Sequence, residues 1–274
     1  MQAQSNILSV GVVAFYPDDS FYSTIKNFRD NGFSITVYNN GLTQQQSVDL
    51  HELALPGSGI KILGYGTNDG LGKSIRELTQ NSITEQYEYL LMLDQDTLIN
   101  DYFFSSISNL DLHSLFSNKY TTLQIISELD TRYKDCVSSE EIVLNINSGS
   151  IFNLKLCDEI HFHDNHLFVE GVDYDFCLRS REAGYKVGII HGVKGLDHFS
   201  NQDGYAVKIF NKPFNVRVYP RGRILDFYRS HTKLLFQSLK FADFKATIIF
   251  VKLMTTFAIA NILSMLIKSI EKKK

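Results

Sequence analysis

Asp94 and Asp96 stand one residue apart at the end of the apolar run LLMLDQDT, residues 90–97. Such a run reads as a buried strand, and alternation along a strand would point both carboxylates to one side. Mg²⁺ takes one or two protein carboxylates and fills its shell with water and substrate phosphates. The pair therefore suits a metal-bound diphosphate better than a closed structural site. Asp173 and Asp175 form a second spaced pair in VEGVDYDFCLR, residues 169–179. A carboxylate there can take the proton of a hydroxyl nucleophile in the transition state, while a metal stabilises the leaving diphosphate. Each pair also has a plainer reading, since Asp is common at helix N-caps and acids near a helix start complement the macrodipole. That reading suits Asp175 better than it suits Glu170, Asp173 and Asp175 in one run.

The elements that must position these acids alternate along the chain. Ile7–Phe15 reads as a Val-rich central strand, and Pro17–Ser20 as the cap of a helix over Phe21–Arg29. Ser34–Tyr38 reads as a strand closed by Asn39-Asn40-Gly41, Gln44–Leu53 as a helix, and Lys61–Leu63 as a short strand before GYGTNDGLG. Lys73–Asn81 then reads as a helix and Tyr89–Leu93 as a strand. This spacing predicts an α/β fold with a mostly parallel sheet, in which ligands bind at the carboxyl ends of strands. Thr121–Ser127 is a candidate strand and Arg132–Glu140 a polar loop. Ile142–Ile151 reads as a strand broken at Ser148-Gly149-Ser150, Tyr174–Ala183 as a helix ended by Gly184, and Tyr185–Ile190 as a strand. Beyond Asn211 the chain reads as basic, aromatic and helical.

The 274 residues, 44% hydrophobic and 21% charged, fit an ordinary globular domain with a C-terminal appendage. Cys136, Cys157 and Cys177 have no CxxC spacing, which points to free thiols in a reducing compartment. The N-terminus has no basic n-region of a signal peptide. Charge is unevenly spread. Residues 205–274 hold 14 Lys or Arg against 3 acids, and residues 1–204 hold 13 against 27. An anionic partner such as a phospholipid surface or lipid-linked diphosphate belongs with the C-terminal quarter, whereas the acidic remainder argues against nucleic acid.

Three segments together carry a resemblance: SGSIFNLKL (148–156), LFVEGVDYDFCLRSREAGYKV (167–187) and Asp197-His198. They resemble the family 2 glycosyltransferases with a GT-A fold, most closely their bacterial rhamnosyltransferase-like branch. LMLDQDT looks like that branch's metal-binding aspartate motif, VAFYPD its first-strand end, and TNDGLGKS its Asn-Gly loop. The resemblance covers roughly residues 7–235. It implies a GT-A (nucleotide-diphospho-sugar transferase) fold with C-terminal helices, and a divalent metal, Mg²⁺ or Mn²⁺. Position by position it implies Asp96 as metal ligand, Asp94 on the ribose or the metal's water shell, and Asp173 as general base. His198 would join the metal or diphosphate. Phe15, Tyr16 and Pro17 would flank the nucleobase, Asn68 lies in the donor loop, and Arg223 and Arg229 in RGRILDFYRS would lie near the diphosphate or acceptor. A surface histidine and solvated helix charges are the plainer readings of His198 and the two arginines.

The departures are specific. Tyr38 stands in VYNNG where the family often has a base-contacting Asp, which shifts base recognition to Asn39 or Asn40. Arg76 stands where an Asn is common. HFHDNH (161–166) lacks the i, i+4 spacing of a zinc helix and reads as a polar loop. No GxSxG elbow, Walker loop or GxGxxG is present.

The expectation is an inverting glycosyltransferase with a GT-A domain over 1–235 and a basic, apolar helical region over 236–274. Its donor would be dTDP-rhamnose, with a UDP-hexose or UDP-galactofuranose as alternatives. Its acceptor would be a lipid-linked glycan of a bacterial surface polysaccharide, such as lipopolysaccharide O antigen. A non-catalytic sugar-nucleotide or glycan-binding protein on the same scaffold is the reading from another class. Ile248–Ile267 is long enough to cross a bilayer. However, Lys252 lies inside it, Lys240 and Lys245 precede it, and Lys268, Lys272, Lys273 and Lys274 follow. Lysines at both ends favour a helix lying on the inner face of the plasma membrane, anchored to anionic lipid; a helix packed on protein is the plainer reading.

Overall fold

The apolar run near the start of the chain forms the strand Leu8–Ala14 (β1), and the run before the first acidic pair forms Tyr89–Asp94 (β4). They lie side by side and parallel, with Val13 opposite Asp94. The computed structural model describes residues 5–198, 204–209, 212–217 and 219–271, which fall into two compact units, Met1–Phe199 and Ser200–Lys274.

The first unit is built on an eight-stranded sheet. Its other strands are Ile35–Asn39 (β2), Ile60–Leu63 (β3), Tyr120–Ile125 (β6), Ser138–Ile142 (β7), Ser150–Asn153 (β8) and Lys186–His191 (β9), in the order β3-β2-β1-β4-β8-β6-β9-β7. The β3-β2, β2-β1, β1-β4 and β6-β9 pairings are parallel; the three made by β8 and β7 are antiparallel. β4 shows why the strand is apolar throughout. Tyr89, Leu91 and Leu93 enter one core with Phe21, Ile25 and Phe28 of helix Asp19–Asp30 (α1), while Leu90 and Met92 enter a second with Ile75 and Leu78 of helix Leu71–Thr84 (α3). Helix Gln44–Leu53 (α2) spans the residues expected and starts with a capping box between Thr43 and Gln46.

Several elements differ from the sequence reading. Two helices, Asp101–Ser108 (α4) and Leu112–Phe116 (α5), fill a stretch with weak signals; Phe103, Phe104 and Ile107 bury α4 in the first core. The expected polar loop 132–140 runs into β7, an edge strand whose exposed Glu140 and Glu141 hide the strand pattern. The expected strand 142–151 is two separate strands, because Gly149 turns at φ +70° and β8 begins only at Ser150. Asn153 then caps a short helix, Leu154–Glu159 (α6). Helix Val172–Glu182 (α7) follows. A two-stranded ribbon pairs Thr97–Ile99 (β5) with Leu196–His198 (β10).

In the second unit, Gly204–Ile209 (β11) and Lys212–Arg217 (β12) form an antiparallel pair, so the helical character expected beyond Asn211 begins only at Arg221. Helices Arg221–Lys240 (α8) and Phe244–Glu271 (α9) reverse direction at Ala242, φ +54°. They pack through Phe227, stacked on Phe257 at 3.7 Å, and through buried Leu234, Ala246 and Phe250.

Candidate active site

Because β1, β2, β3 and β4 run parallel, their carboxyl ends fall on one edge of the sheet. β1 delivers Phe15, β2 delivers Asn40, the loop after β3 delivers Asn68, and β4 delivers Asp94, Gln95 and Asp96. These six residues line one cleft of about 290 Å³, with Val169 on its far side. Both carboxylates are exposed. Gln95, which the sequence reading passed over, joins two strand ends: its Oε1 accepts the Phe15 N–H at 2.7 Å.

Tyr38 is buried, and its hydroxyl donates to Asp69 Oδ2 at 2.9 Å. Lys73 Nζ lies 3.0 Å from the same carboxylate. Lys73 and then Tyr38 hold the Asp69 carboxyl below the usual range, and burial followed by Asp69 pushes the Tyr38 phenol up. A tyrosine thus stands at the end of β2 and ties a carboxylate from the next loop to it. Asn40 Oδ1 accepts the Asp69 N–H at 2.8 Å and fixes that loop. Asn39 Oδ1 accepts from the Gly41 and Leu42 N–H groups, an Asx-type turn. Tyr16 sits outside the cleft lining, exposed at φ +47°, and the Pro17 carbonyl accepts from Gln46 Nε2.

The cleft's far wall comes close because of two glycines. A Cβ on Gly70 would stand 2.7 Å from the Phe168 ring, and one on Gly72 would stand 2.3 Å from the Asp164 carbonyl oxygen.

The second acidic pair splits into two roles. Gly171, at φ +81°, starts α7, and Asp173 and Asp175 lie in its first turn. Asp175 is 2% exposed and pairs with Arg179 Nε at 2.7 Å. The same guanidinium donates to the carbonyls of Ile160 and Phe162, both at 2.6 Å. Asp175 is therefore part of the scaffold. Asp173 is half-buried and lies within the field of Asp94. Burial first, then Asp94 and more weakly Glu170, raise its carboxyl to about 7, against the opposing pull of the Asn147 backbone N–H and side chain. A carboxyl poised there is matched to proton abstraction near neutrality.

His198 pairs through its backbone with Thr97, the residue after Asp96, while its side chain lies outside the described residues. Arg223 and Arg229 are exposed on α8 in the second unit. No group of three or more His, Cys, Asp or Glu among the described residues forms a closed metal site. The donor set at the cleft is instead two exposed carboxylates, the chemistry of an open site that a hard cation shares with substrate oxygens. Arg76, the other departure from the family pattern, donates to the carbonyls of His161 and His163 at 3.2 and 3.4 Å and lies over the Phe162 ring.

No protein-family model and no curated protein matches the sequence. Solved structures do. TarS 1–349 of S. aureus is 14% identical at a TM-score of 0.55, over 85% of this chain and 65% of that one. GalNAc-T7 with UDP, GalNAc and Mn²⁺ is 10% identical at 0.51, over 70% and 43%. The mannosyltransferase PcManGT of Pyrobaculum calidifontis with GDP-Man and Mn²⁺ is 10% identical at 0.52, over 71% and 57%. This chain spans less than two thirds of each of these neighbours. At such identities the likeness is one of fold, and the fold is GT-A with C-terminal helices.

Proposed function

We propose that the chain is an inverting glycosyltransferase acting on a nucleotide-diphosphate sugar. The observation that carries this reading is the meeting of the strand-end acids with a base-like acid: Asp94 and Asp96 line the cleft, and Asp94 helps hold Asp173 at about 7. Phe15 would flank the nucleobase, Asn40 would contact it, and Asn68 would meet the donor. Asp96, with Asp94 on the same strand end, would hold a divalent cation, and the family resemblance adds His198 to that role; when bound, the cation supplies stabilisation of the leaving diphosphate. Asp173 takes the proton of the acceptor hydroxyl as that oxygen attacks the anomeric carbon from the face opposite the nucleotide. The family resemblance favours dTDP-rhamnose, and the UDP and GDP-Man bound by structural neighbours keep other donors in the test.

The test is a thermal-shift screen of dTDP-rhamnose, UDP-glucose, UDP-galactofuranose and GDP-mannose with Mn²⁺. A donor at one hundred times its Kd adds about 2.7 kcal/mol, a rise of roughly 5–10 °C for a domain of this size. Asp96→Ala or EDTA should remove the rise while leaving the unliganded melting temperature in place. A panel that shifts nothing, or an Asp96→Ala protein that shifts as the wild type does, counts against the reading. Donor stabilisation without any metal-dependent hydrolysis or transfer favours the non-catalytic binding protein.

The same reading gives the second unit a surface to act on. On α9, Phe244, Ile248, Val251, Ile259 and Ile262 are exposed, and Lys245, Lys252, Thr255 and Thr256 share the exposed side. Phe244–Ser264 contains an 18-residue stretch of mean hydropathy 1.8 and is long enough to cross a membrane. Lysines at 252 and at both ends support a helix lying in the cytoplasmic interface, where the acceptor is lipid-linked; the side chain of Lys268 and all of Lys272–Lys274 lie outside the described residues. The full chain should bind anionic liposomes at low salt and a chain ending at Phe244 should not. Resistance to carbonate extraction would mean a spanning helix instead, and equal solubility of both chains would remove the membrane role.

A further inference from the structure

The histidine-rich turn HFHDNH holds a fully buried imidazole, His163, that the chemistry above leaves unused. The turn is rigid. His161 and Phe162 adopt φ +62° and +60°. Their strained backbone is held by two guanidinium groups, Arg76 on the carbonyls of His161 and His163, and Arg179 on those of Ile160 and Phe162. The His163 ring is stacked on Phe176 at 4.4 Å and meets Phe152 edge-on. Its Nε2 lies 3.1 Å from Asn147 Oδ1, and its Nδ1 is buried with no partner. Burial, and then the charge of Arg179, hold its pKa well below the ordinary histidine value, so the ring is neutral. The single useful proton is then on Nε2, donated to Asn147 Oδ1.

Asn147 is buried in turn, 6% exposed. With Oδ1 engaged by the imidazole, its buried Nδ2 makes no hydrogen bond of good geometry. A buried amide donor is costly to leave unsatisfied. The group it faces is Asp173, which the Asn147 side chain and backbone N–H both draw toward its ionised form. The opposite amide orientation would set a carbonyl oxygen against a carboxylate. We infer that His163 is a positioning residue, which turns the Asn147 amide so that its NH₂ faces one oxygen of Asp173 and leaves the other for the acceptor hydroxyl. The role assigned to that second oxygen rests on Asp173 being the base; the His163–Asn147–Asp173 chain does not. The charged groups facing Asp173 are Asp94 from β4 and Glu170 from the loop before α7, and Arg179 faces His163. None of them can replace the amide donor.

The test uses the full chain without metal or donor. Carboxyl ¹³C NMR follows the Asp173 titration, assigned by its loss in Asp173→Asn, and ¹⁵N NMR reads the His163 tautomer. The wild type should show Nε2–H. His163→Phe keeps the ring stack and removes the donor, and should raise the Asp173 midpoint by about one unit. His163→Gln restores an N–H and should return the midpoint toward wild type. Asn147→Leu should raise it as His163→Phe does, and the double variant should add nothing further. An Nδ1–H tautomer in the wild type overturns the inference without any substitution. So does a midpoint unmoved by His163→Phe, absent rescue by Gln, or additive shifts. Because no substrate enters these measurements, their outcome stands apart from whether the protein transfers a sugar.

Discussion

Asp173→Asn should fold normally and lose at least about 10² in the rate of the chemical step, with donor binding little changed. The amide keeps the size and polarity of the carboxyl but cannot accept a proton from a hydroxyl. Wild-type kcat/KM should fall as pH drops below about 7, where the Asp173 carboxyl becomes protonated, and the variant should lack that limb. Stability should move the opposite way. The folded-state pKa is raised above the unfolded value, so this group favours the fold fully at acid pH and that contribution is lost as pH rises through about 7. Asn does not titrate. The melting temperature of Asp173→Asn relative to wild type should therefore increase between pH 5 and pH 8. Full transfer by Asp173→Asn, with loss in Asp175→Asn, would put the base on the other carboxylate.

Asp175→Ala should do the reverse, unfolding the protein more easily before it affects chemistry. Removing one partner of a buried ion pair costs about 3–5 kcal/mol. Arg179 is 22% exposed and keeps its bonds to the Ile160 and Phe162 carbonyls, which places the effect near the lower end. A cost of about 3 kcal/mol lowers the melting temperature by roughly 6–12 °C. The measurement is thermal and urea unfolding, read against Asp173→Asn in the same buffer. An Asp175→Ala protein as stable as wild type would remove the scaffold role.

The two acids sit two residues apart in one helical turn; the plainer helix-start reading suited Asp175, and the family resemblance put the base on Asp173. What separates them is Arg179 at i+4 from Asp175, and Asp94 arriving from a strand far away in the chain. The strand-end acids were legible, because β4 is buried on both faces and its apolar run stops where the carboxylates begin. So were β1, β2, α2 and the Asn-Gly loop, whose local signals agree with their surroundings. β7 was hidden by its exposed glutamates, and α4 and α5 by weak local periodicity that only packing against α1 and the sheet resolves. His163 looked like part of a polar loop because histidine next to Asp and Asn in sequence carries no signal of burial. Its partners, Phe176, Phe152 and Asn147, come from three other elements. Gln95 and Asp69 were missed for the same reason, as each acts on a group that only the fold brings near.

The crowding of Asp94 and Glu170 around Asp173 has a consequence for the life of the protein in a cell. Like charges held together weaken a fold, and anything that binds only the folded chain offsets that loss. On the proposed reading the cation and the nucleotide sugar both bind the folded chain, and the cation also answers the acidic charge. The empty protein is then the form most often unfolded and most open to proteases, and small differences in stability change abundance several-fold. If the proposed activity holds, the amount of this protein should track the supply of its donor, so that a cell starved of the sugar nucleotide also sheds the protein proposed to consume it.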